Sequence, residues 1–181
     1  NVEELISALH DIQAQYYALP DMEAKREMFM KVRRRYNEKN LAPIENTAKF
    51  FFLNRTCFNG LYRVNKKGLF NVPCGKYMRP QICDEETLRA DSNLLKRVEI
   101  LDGDFEKTLL LARGKTFFYF DPPYRPLSDT SSFNDYAKES FNDDSQVRLK
   151  KFCDKVVAEG HHFMLSNSDC KGKNEADNFF D

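Results

Sequence analysis

Thr116-Phe-Phe-Tyr-Phe-Asp-Pro-Pro-Tyr124 restricts the fold of this chain more than any other stretch. A short aromatic run, preceded by Gly114 and closed by Pro122, fits a buried central strand of an α/β sheet better than a helix. Proline fixes φ, lacks an N–H and pushes the residue before it toward extended geometry. Asp121 is therefore held extended, and the turn Asp121-Pro122-Pro123-Tyr124 offers carbonyl acceptors and few donors. Such a turn suits the gripping of an amino group.

The matching chemistry is attack by an exocyclic amine on an activated methyl group. An adenine amine is a poor nucleophile, because its lone pair is delocalised into the ring. The Asp121 carboxylate and the Pro122 carbonyl, each accepting one N–H, would draw the nitrogen toward tetrahedral geometry and stabilise its developing charge. Tyr124 would stack on a base that has left the duplex. The tetrapeptide reads equally well as a strand-ending turn with a solvated aspartate and a packing tyrosine, so its surroundings decide.

At 181 residues and 41% hydrophobic, the chain is long and apolar enough to bury a core as one domain, or as one domain plus a subdomain. No stretch approaches the ~20 apolar residues of a membrane span, and Asn1 opens no signal peptide, so the expectation is a soluble cytoplasmic protein with no membrane and no obligate protein partner. Cys57, Cys74, Cys83, Cys153 and Cys170 show no C-x-x-C pairing and read as reduced thiols. With three histidines, two of them His161 and His162, no metal site is expected.

The charges balance at zero but are unevenly placed. Residues 46–83 hold no Asp or Glu, yet Lys49, Arg55, Arg63, Lys66, Lys67, Lys76 and Arg79 fall there among Phe58, Tyr62, Phe70 and Tyr77. A cationic stretch with interleaved aromatics matches a polyanion carrying stackable bases. A solvated surface over an aromatic minicore is the other reading.

Periodicity predicts an amphipathic helix over residues 1–18 with no visible cap, a second over 22–40 with Met28, Phe29, Val32 and Tyr36 on one side, and a third begun by Pro43. Residues 61–64 and 69–72 then flank Asn65-Lys-Lys-Gly68, a β-hairpin pattern with a basic tip of the kind that can enter a major groove. Beyond Asp84 the chain alternates: helix 84–95, strand 98–101, helix 105–112, the aromatic strand, a polar loop, helix 145–159 with Val147, Phe152, Val156 and Val157 inward and Gly160 as its stop, and a buried strand 163–167.

Asn54-Arg55, Phe58-Asn-Gly-Leu-Tyr-Arg-Val-Asn65, Phe70-Asn-Val-Pro73, Gly75-Lys-Tyr77, Gly103-Asp-Phe105, Asp121-Pro-Pro-Tyr124, Pro126-Leu-Ser128 and Leu165-Ser-Asn167 occur together and in this order. Through nearly the whole chain the sequence resembles the Dam-type, class α DNA adenine methyltransferases, the GATC-modifying enzymes of restriction systems above all. The resemblance implies an α/β, Rossmann-like core that binds S-adenosylmethionine, an inserted target recognition domain of helices and a hairpin, double-stranded DNA as partner, and methylation of adenine at N6. It assigns residues 1–20 and 84–181 to the core and 21–83 to the recognition domain.

By matching position, the resemblance makes Asp121, Pro122, Pro123 and Tyr124 the catalytic turn, and puts Asp104, Phe105 and Asp121 at the cofactor. Phe58 and Asn59 match a pair that wedges at the flipped base, Arg63 and Asn65 match base-contacting hairpin residues, and Lys76 and Tyr77 follow on the DNA side. Lys76 stands where some relatives carry arginine, which exchanges a bidentate fork for a point charge. The loop 128–141 would fold over target and cofactor. Members of the family also carry a glycine-rich F-x-G-x-G turn and an acidic residue upstream of the first helix here, and further strands at the other end. Residues 1–181 are therefore expected to be a truncated or split piece of a longer protein. A DNA-binding remnant without activity, or a methyltransferase acting on other amines, are the competing expectations.

Overall fold

Most α-helix starts among the described residues are set by polar side chains that accept a backbone N–H. In the computed structural model, which describes residues 1–125, 141–169, 171–172 and 175–179, Asn1 caps α1 (Val2–Ala18) by accepting from the Glu3 N–H. The helix expected to start uncapped thus carries its cap in its own first residue. Asp21 caps α2 (Met22–Asn37) through the Ala24 N–H, and Pro43 occupies the first turn of α3 (Pro43–Thr56). Asp84 caps α4 (Glu85–Leu95) and Asn142 caps α5 (Asp143–Ala158).

The chain folds as two compact units, Asn1–Ile100 and Leu101–Asp181. In the first, α1 packs on α3 and on α4, and α2 on α3. Ile6, Leu9 and Tyr16 of α1, Phe29 and Val32 of α2, and Ala48, Phe52 and Leu53 of α3 share one core with Phe70, Val72, Ile82 and Cys83. Position 25 of α2, not marked as inward by the sequence, is a buried lysine. Its ammonium donates to the Tyr16 and Leu19 carbonyls at 2.6 and 2.9 Å and lies over the Tyr16 ring. These carbonyls end α1, where unpaired C=O groups and the helix dipole favour a cation.

The expected hairpin is present in minimal form. One antiparallel bridge pairs Val64 with Phe70, Asn65 N–H donates to the Leu69 carbonyl at 2.9 Å, and Gly68 turns the chain at φ +69°. A second bridge, Cys57 with Cys74, ties the end of α3 to the segment after the hairpin. Both cysteines are free thiols, as are Cys83 and Cys153; Cys170 lies outside the described residues.

The second unit is a β-α-β crossover. β1 (Phe117–Phe120) and β2 (His162–Leu165) are parallel, with Phe117 opposite His162 and Phe120 opposite Leu165, and α5 connects them. Leu109, Phe118, Leu149, Phe152, Cys153 and Val156 form the core. Gly160, at φ +84°, follows α5 as its stop. This is a mixed α/β chain with a small parallel sheet, compatible with the class implied by the resemblance.

Several expectations for the second half of the chain are corrected. The strand expected to be buried over 163–167 runs His162–Leu165, with Phe163 and Met164 exposed. β1 is not wholly buried: among the described residues it has one neighbour, and Phe117 and Tyr119 are exposed while Phe118 faces α5. Strand alternation puts successive side chains on opposite faces, and only one face is covered within this unit. In α5 the inward side carries Gln146, Leu149, Phe152, Cys153 and Val156, leaving Val147 and Val157 exposed, a rotation of the buried stripe. Residues 98–101 form no strand, because no described segment pairs with them, and Ile100 is 74% exposed. The helix expected over 105–112 is present, wound as a 3-10 helix, Phe105–Leu111.

Candidate active site

Both strands of the parallel sheet end at polar loops, and ligand sites in such sheets lie beyond the carboxyl ends of the strands. Asp121 follows β1 directly, and Ser166 and Asn167 follow β2. Register places Phe120 beside Leu165, so the next residues on each strand meet: Ser166 N–H donates to the Phe120 carbonyl at 3.0 Å, and Ser166 Oγ donates to Asp121 Oδ1 at 2.7 Å. Tyr119 OH in turn donates to Ser166 Oγ at 3.3 Å. The Asp121 carboxylate is exposed yet oriented, as a group that must accept from a ligand needs to be.

The rest of the turn is braced from α5. Gln146, buried in the first turns of that helix, donates to the Pro123 carbonyl at 3.0 Å and accepts from Asn167 Nδ2 at 2.9 Å. Arg125 leaves the turn with its N–H on Asn167 Oδ1, and its guanidinium pairs with Asp143 at 2.9 Å and Asp177 at 2.5 Å while lying over the Phe179 ring. The same guanidinium holds the Asp177 carboxyl below its ordinary range. Tyr124, between these anchors, is 45% exposed.

Two residues along α5, Arg148 reaches the pair Asp104 and Phe105. Its guanidinium donates to Asp104 Oδ1 and Glu106 Oε1, both at 2.6 Å, and lies 4.7 Å from the centre of the Phe105 ring. Asp104 also accepts from the Glu106 N–H at 3.0 Å, capping the 3-10 turn that presents Phe105. Arg148 first, and the Glu106 N–H after it, hold the Asp104 carboxyl below its ordinary value of 3.8. That contribution to stability is complete above the ordinary value and is lost as pH falls through the lowered one; full exposure keeps it small. A carboxylate acceptor beside an aromatic surface suits an aminopurine, whose amino group donates and whose ring packs.

The candidate recognition residues lie in the unit Asn1–Ile100, and all six are exposed. Phe58, 51% exposed, is presented by a turn in which Asn59 and Gly60 take successive left-handed conformations, φ +53° and +62°. Asn54 Nδ2 donates to the Gly60 carbonyl, and Phe58 N–H donates to the Pro73 carbonyl, locking the turn. Arg63 Nε donates to Asn71 Oδ1 at 2.8 Å, which orients the guanidinium across the hairpin. Asn65 Oδ1 accepts from the Lys67 and Leu69 N–H groups, so this side chain shapes the tip. Gly75 is required where it stands, since a Cβ there would come within 2.5 Å of the Tyr77 ring and 2.8 Å of the Cys57 carbonyl. Tyr77 is anchored by its carbonyl, which accepts from Tyr16 OH at 2.8 Å. Burial first, and the neighbouring Cys74 after it, push the Tyr16 hydroxyl up to about 12.

Sequence reasoning missed Gln146 and Arg148. Both are polar positions on a helix whose inward stripe was placed one step off, and buried glutamine has no sequence signature. The expected closing loop, residues 128–141, falls outside the described residues apart from Phe141, whose ring packs against Phe105.

Oriented acceptors at the carboxyl ends of a parallel pair, with an aromatic beside them, are chemically suited to gripping an amine. The chain belongs to the family described as D12 class N6 adenine-specific DNA methyltransferase, whose sequence profile matches residues 1–180. It is 48% identical over 170 residues to the Type II methyltransferase M.MjaIII of Methanocaldococcus jannaschii, covering 93% of this chain and 58% of that protein. A DNA adenine methylase of Vibrio cholerae is 34% identical over 158 residues, 87% of this chain and 56% of its own. The DNA N-6-adenine-methyltransferase of Escherichia phage P1 is 34% identical over 142 residues, 78% of this chain and 19% of the phage protein. Thus the chain spans roughly half to three-fifths of M.MjaIII and of the Vibrio enzyme. No helix among the described residues is long and apolar enough to cross a membrane.

Proposed function

We propose that the protein carrying this chain methylates adenine at N6 within GATC in double-stranded DNA, with S-adenosylmethionine as methyl donor. In this reading residues 1–20 and 84–181 are parts of a Rossmann-like core, and 21–83 are its target recognition domain. The observation that carries it is the Asp121-Pro122-Pro123-Tyr124 turn at the end of β1, with its carboxylate held by Ser166. When bound, S-adenosylmethionine supplies a methyl group on a sulfonium, electrophilic enough to be attacked by a nitrogen lone pair. Asp104 would accept from its adenine amino group and Phe105 would pack on its ring.

Asp121 and the Pro122 carbonyl accept the two N–H groups of the target amine and localise its lone pair. As the new N–C bond forms and the methyl–sulfur bond breaks, with the sulfur leaving as a neutral thioether, positive charge grows on that nitrogen beside the Asp121 carboxylate, where it is stabilised most, and the nitrogen then loses one proton to solvent. Tyr124 stacks on the base, which must leave the duplex to reach this turn. Phe58 and Asn59 support the opened duplex, Arg63 and Asn65 read base edges, and Lys76 and Tyr77 hold the flanking backbone. The GATC assignment rests on the hairpin match alone, in which Arg63 and Asn65 fall where the Dam-type pattern has base-contacting residues.

Label transferred from S-adenosylmethionine to a GATC duplex and not to a permuted duplex supports the assignment; equal transfer to both rules out the site. Ser166→Ala removes the donor that orients Asp121, and kcat is expected to fall about tenfold, equivalent to roughly 1.4 kcal/mol. Steady-state rates at saturating DNA check it, and an unchanged kcat would mean that other contacts hold Asp121.

A further inference from the structure

The two peptide planes that flank Tyr124 are both fixed by side-chain amides. Gln146, 5% exposed, donates from Nε2 to the Pro123 carbonyl at 3.0 Å, which sets the plane before Tyr124. Asn167 Oδ1 accepts from the Arg125 N–H at 3.1 Å, which sets the plane after it. The two amides are joined, Asn167 Nδ2 donating to Gln146 Oε1 at 2.9 Å. Neither amide is free to flip. The Pro123 carbonyl can only accept, while the N–H groups of Arg125 and Ser168, the latter 2.9 Å from Asn167 Oδ1, can only donate.

We propose that Gln146, acting with Asn167, is a positioning residue that fixes the Tyr124 ring, a role that rests on reading Tyr124 as the stacking partner of the target adenine. Proline rings fix φ at 122 and 123, but they leave ψ of Pro123 and both dihedrals of Tyr124 to be set by other contacts. The Gln146 bond sets the first by holding the Pro123 carbonyl, and the Asn167 bond orients the plane that leaves Tyr124. The ring itself is 45% exposed, so its direction is imposed through the backbone rather than by burial. A half-exposed aromatic on a pinned backbone is a prepared stacking surface, and misplacement of such a group by an ångström is enough to slow a reaction strongly. Burying a glutamine in the core-facing stripe of α5, where Leu149, Phe152, Cys153 and Val156 follow, is otherwise unfavourable unless both ends of its amide are satisfied.

The experiment compares full-length wild type with Gln146→Met, which removes donor and acceptor at similar volume, and Gln146→Glu, which keeps the acceptor for Asn167 but points a carboxylate oxygen at the Pro123 carbonyl. Rates are measured with a GATC duplex, alongside the fluorescence of 2-aminopurine placed at the target adenine, which reports stacking of that base. Both variants are expected to lose about 10- to 100-fold in kcat while KM for S-adenosylmethionine stays within about twofold. Their 2-aminopurine signal should differ from that of wild type. A wild type that methylates, with either folded variant retaining kcat within about threefold or keeping the wild-type fluorescence, overturns the positioning role alone. If the methionine variant does not fold, the glutamate variant carries the comparison by itself. A wild type that leaves adenine unmethylated removes the reading of the turn on which the role depends.

Discussion

Asp121→Ala reduces methyl transfer by about 10²- to 10³-fold while duplex affinity stays within about twofold of wild type. The carboxylate is the one charged acceptor in the turn, so its loss removes the group facing the positive charge that grows on the amine. Little else should change. Asp121 is exposed, its loss opens no cavity, and Ser166 Oγ has a second acceptor in the Phe120 carbonyl at 3.3 Å. Affinity is carried by phosphate contacts, to which Asp121 contributes nothing. Asp121→Asn keeps an acceptor without the charge and should fall between alanine and wild type. Single-turnover rates and a binding titration separate the two effects. Retention of more than about a third of the rate by the alanine variant would remove Asp121 from the chemistry.

Phe52→Ala destabilises the unit Asn1–Ile100 by about 3–5 kcal/mol. Phe52 is fully buried, and its ring meets Tyr16 edge-on at 5.6 Å, joining α3 to α1. Its carbonyl also accepts from Thr56 Oγ1 at 2.6 Å, just before the turn that presents Phe58. Because domains of this size have a total stability of roughly 5–15 kcal/mol, and each kcal/mol moves Tm by about 4–8 °C, a fall on the order of 20 °C is expected. Thermal denaturation followed by circular dichroism measures it. A fall below about 5 °C would show that α1 and α3 do not depend on this contact.

The elements best read from sequence were those with strong local signals. Pro43 marked a helix start, Gly160 marked a stop, and the aromatic run before Asp121 read as the strand that became β1. The hairpin was legible from Gly68, although it forms with one bridge, Val64 with Phe70. What failed depended on partners far along the chain. Residues 98–101 had strand composition, but a strand requires a hydrogen-bonded neighbour, and none is among the described residues. The buried face of α5 was misplaced because valines at 147 and 157 outweighed Gln146, whose burial depends on the Pro123 carbonyl and Asn167.

The same division holds for the site. The Asp121-Pro122-Pro123-Tyr124 turn was visible as a motif, whereas the contacts that brace it, from Gln146 and Ser166, span 23 to 46 positions. Asp104 and Phe105 were found by resemblance, and the Arg148 guanidinium that engages both was not. Lys25 likewise carried no signal in the sequence, because its burial depends on the Tyr16 and Leu19 carbonyls that receive its ammonium.

The most direct measurement is the identity of the labelled nucleoside after incubation of the full-length protein with a GATC duplex and methyl-labelled S-adenosylmethionine. Label found in N6-methyladenine, and lost with Asp121→Ala, is the result expected of a turn that grips an adenine amine. Label in a methylated cytosine, or none in DNA while the duplex is still bound, would contradict it.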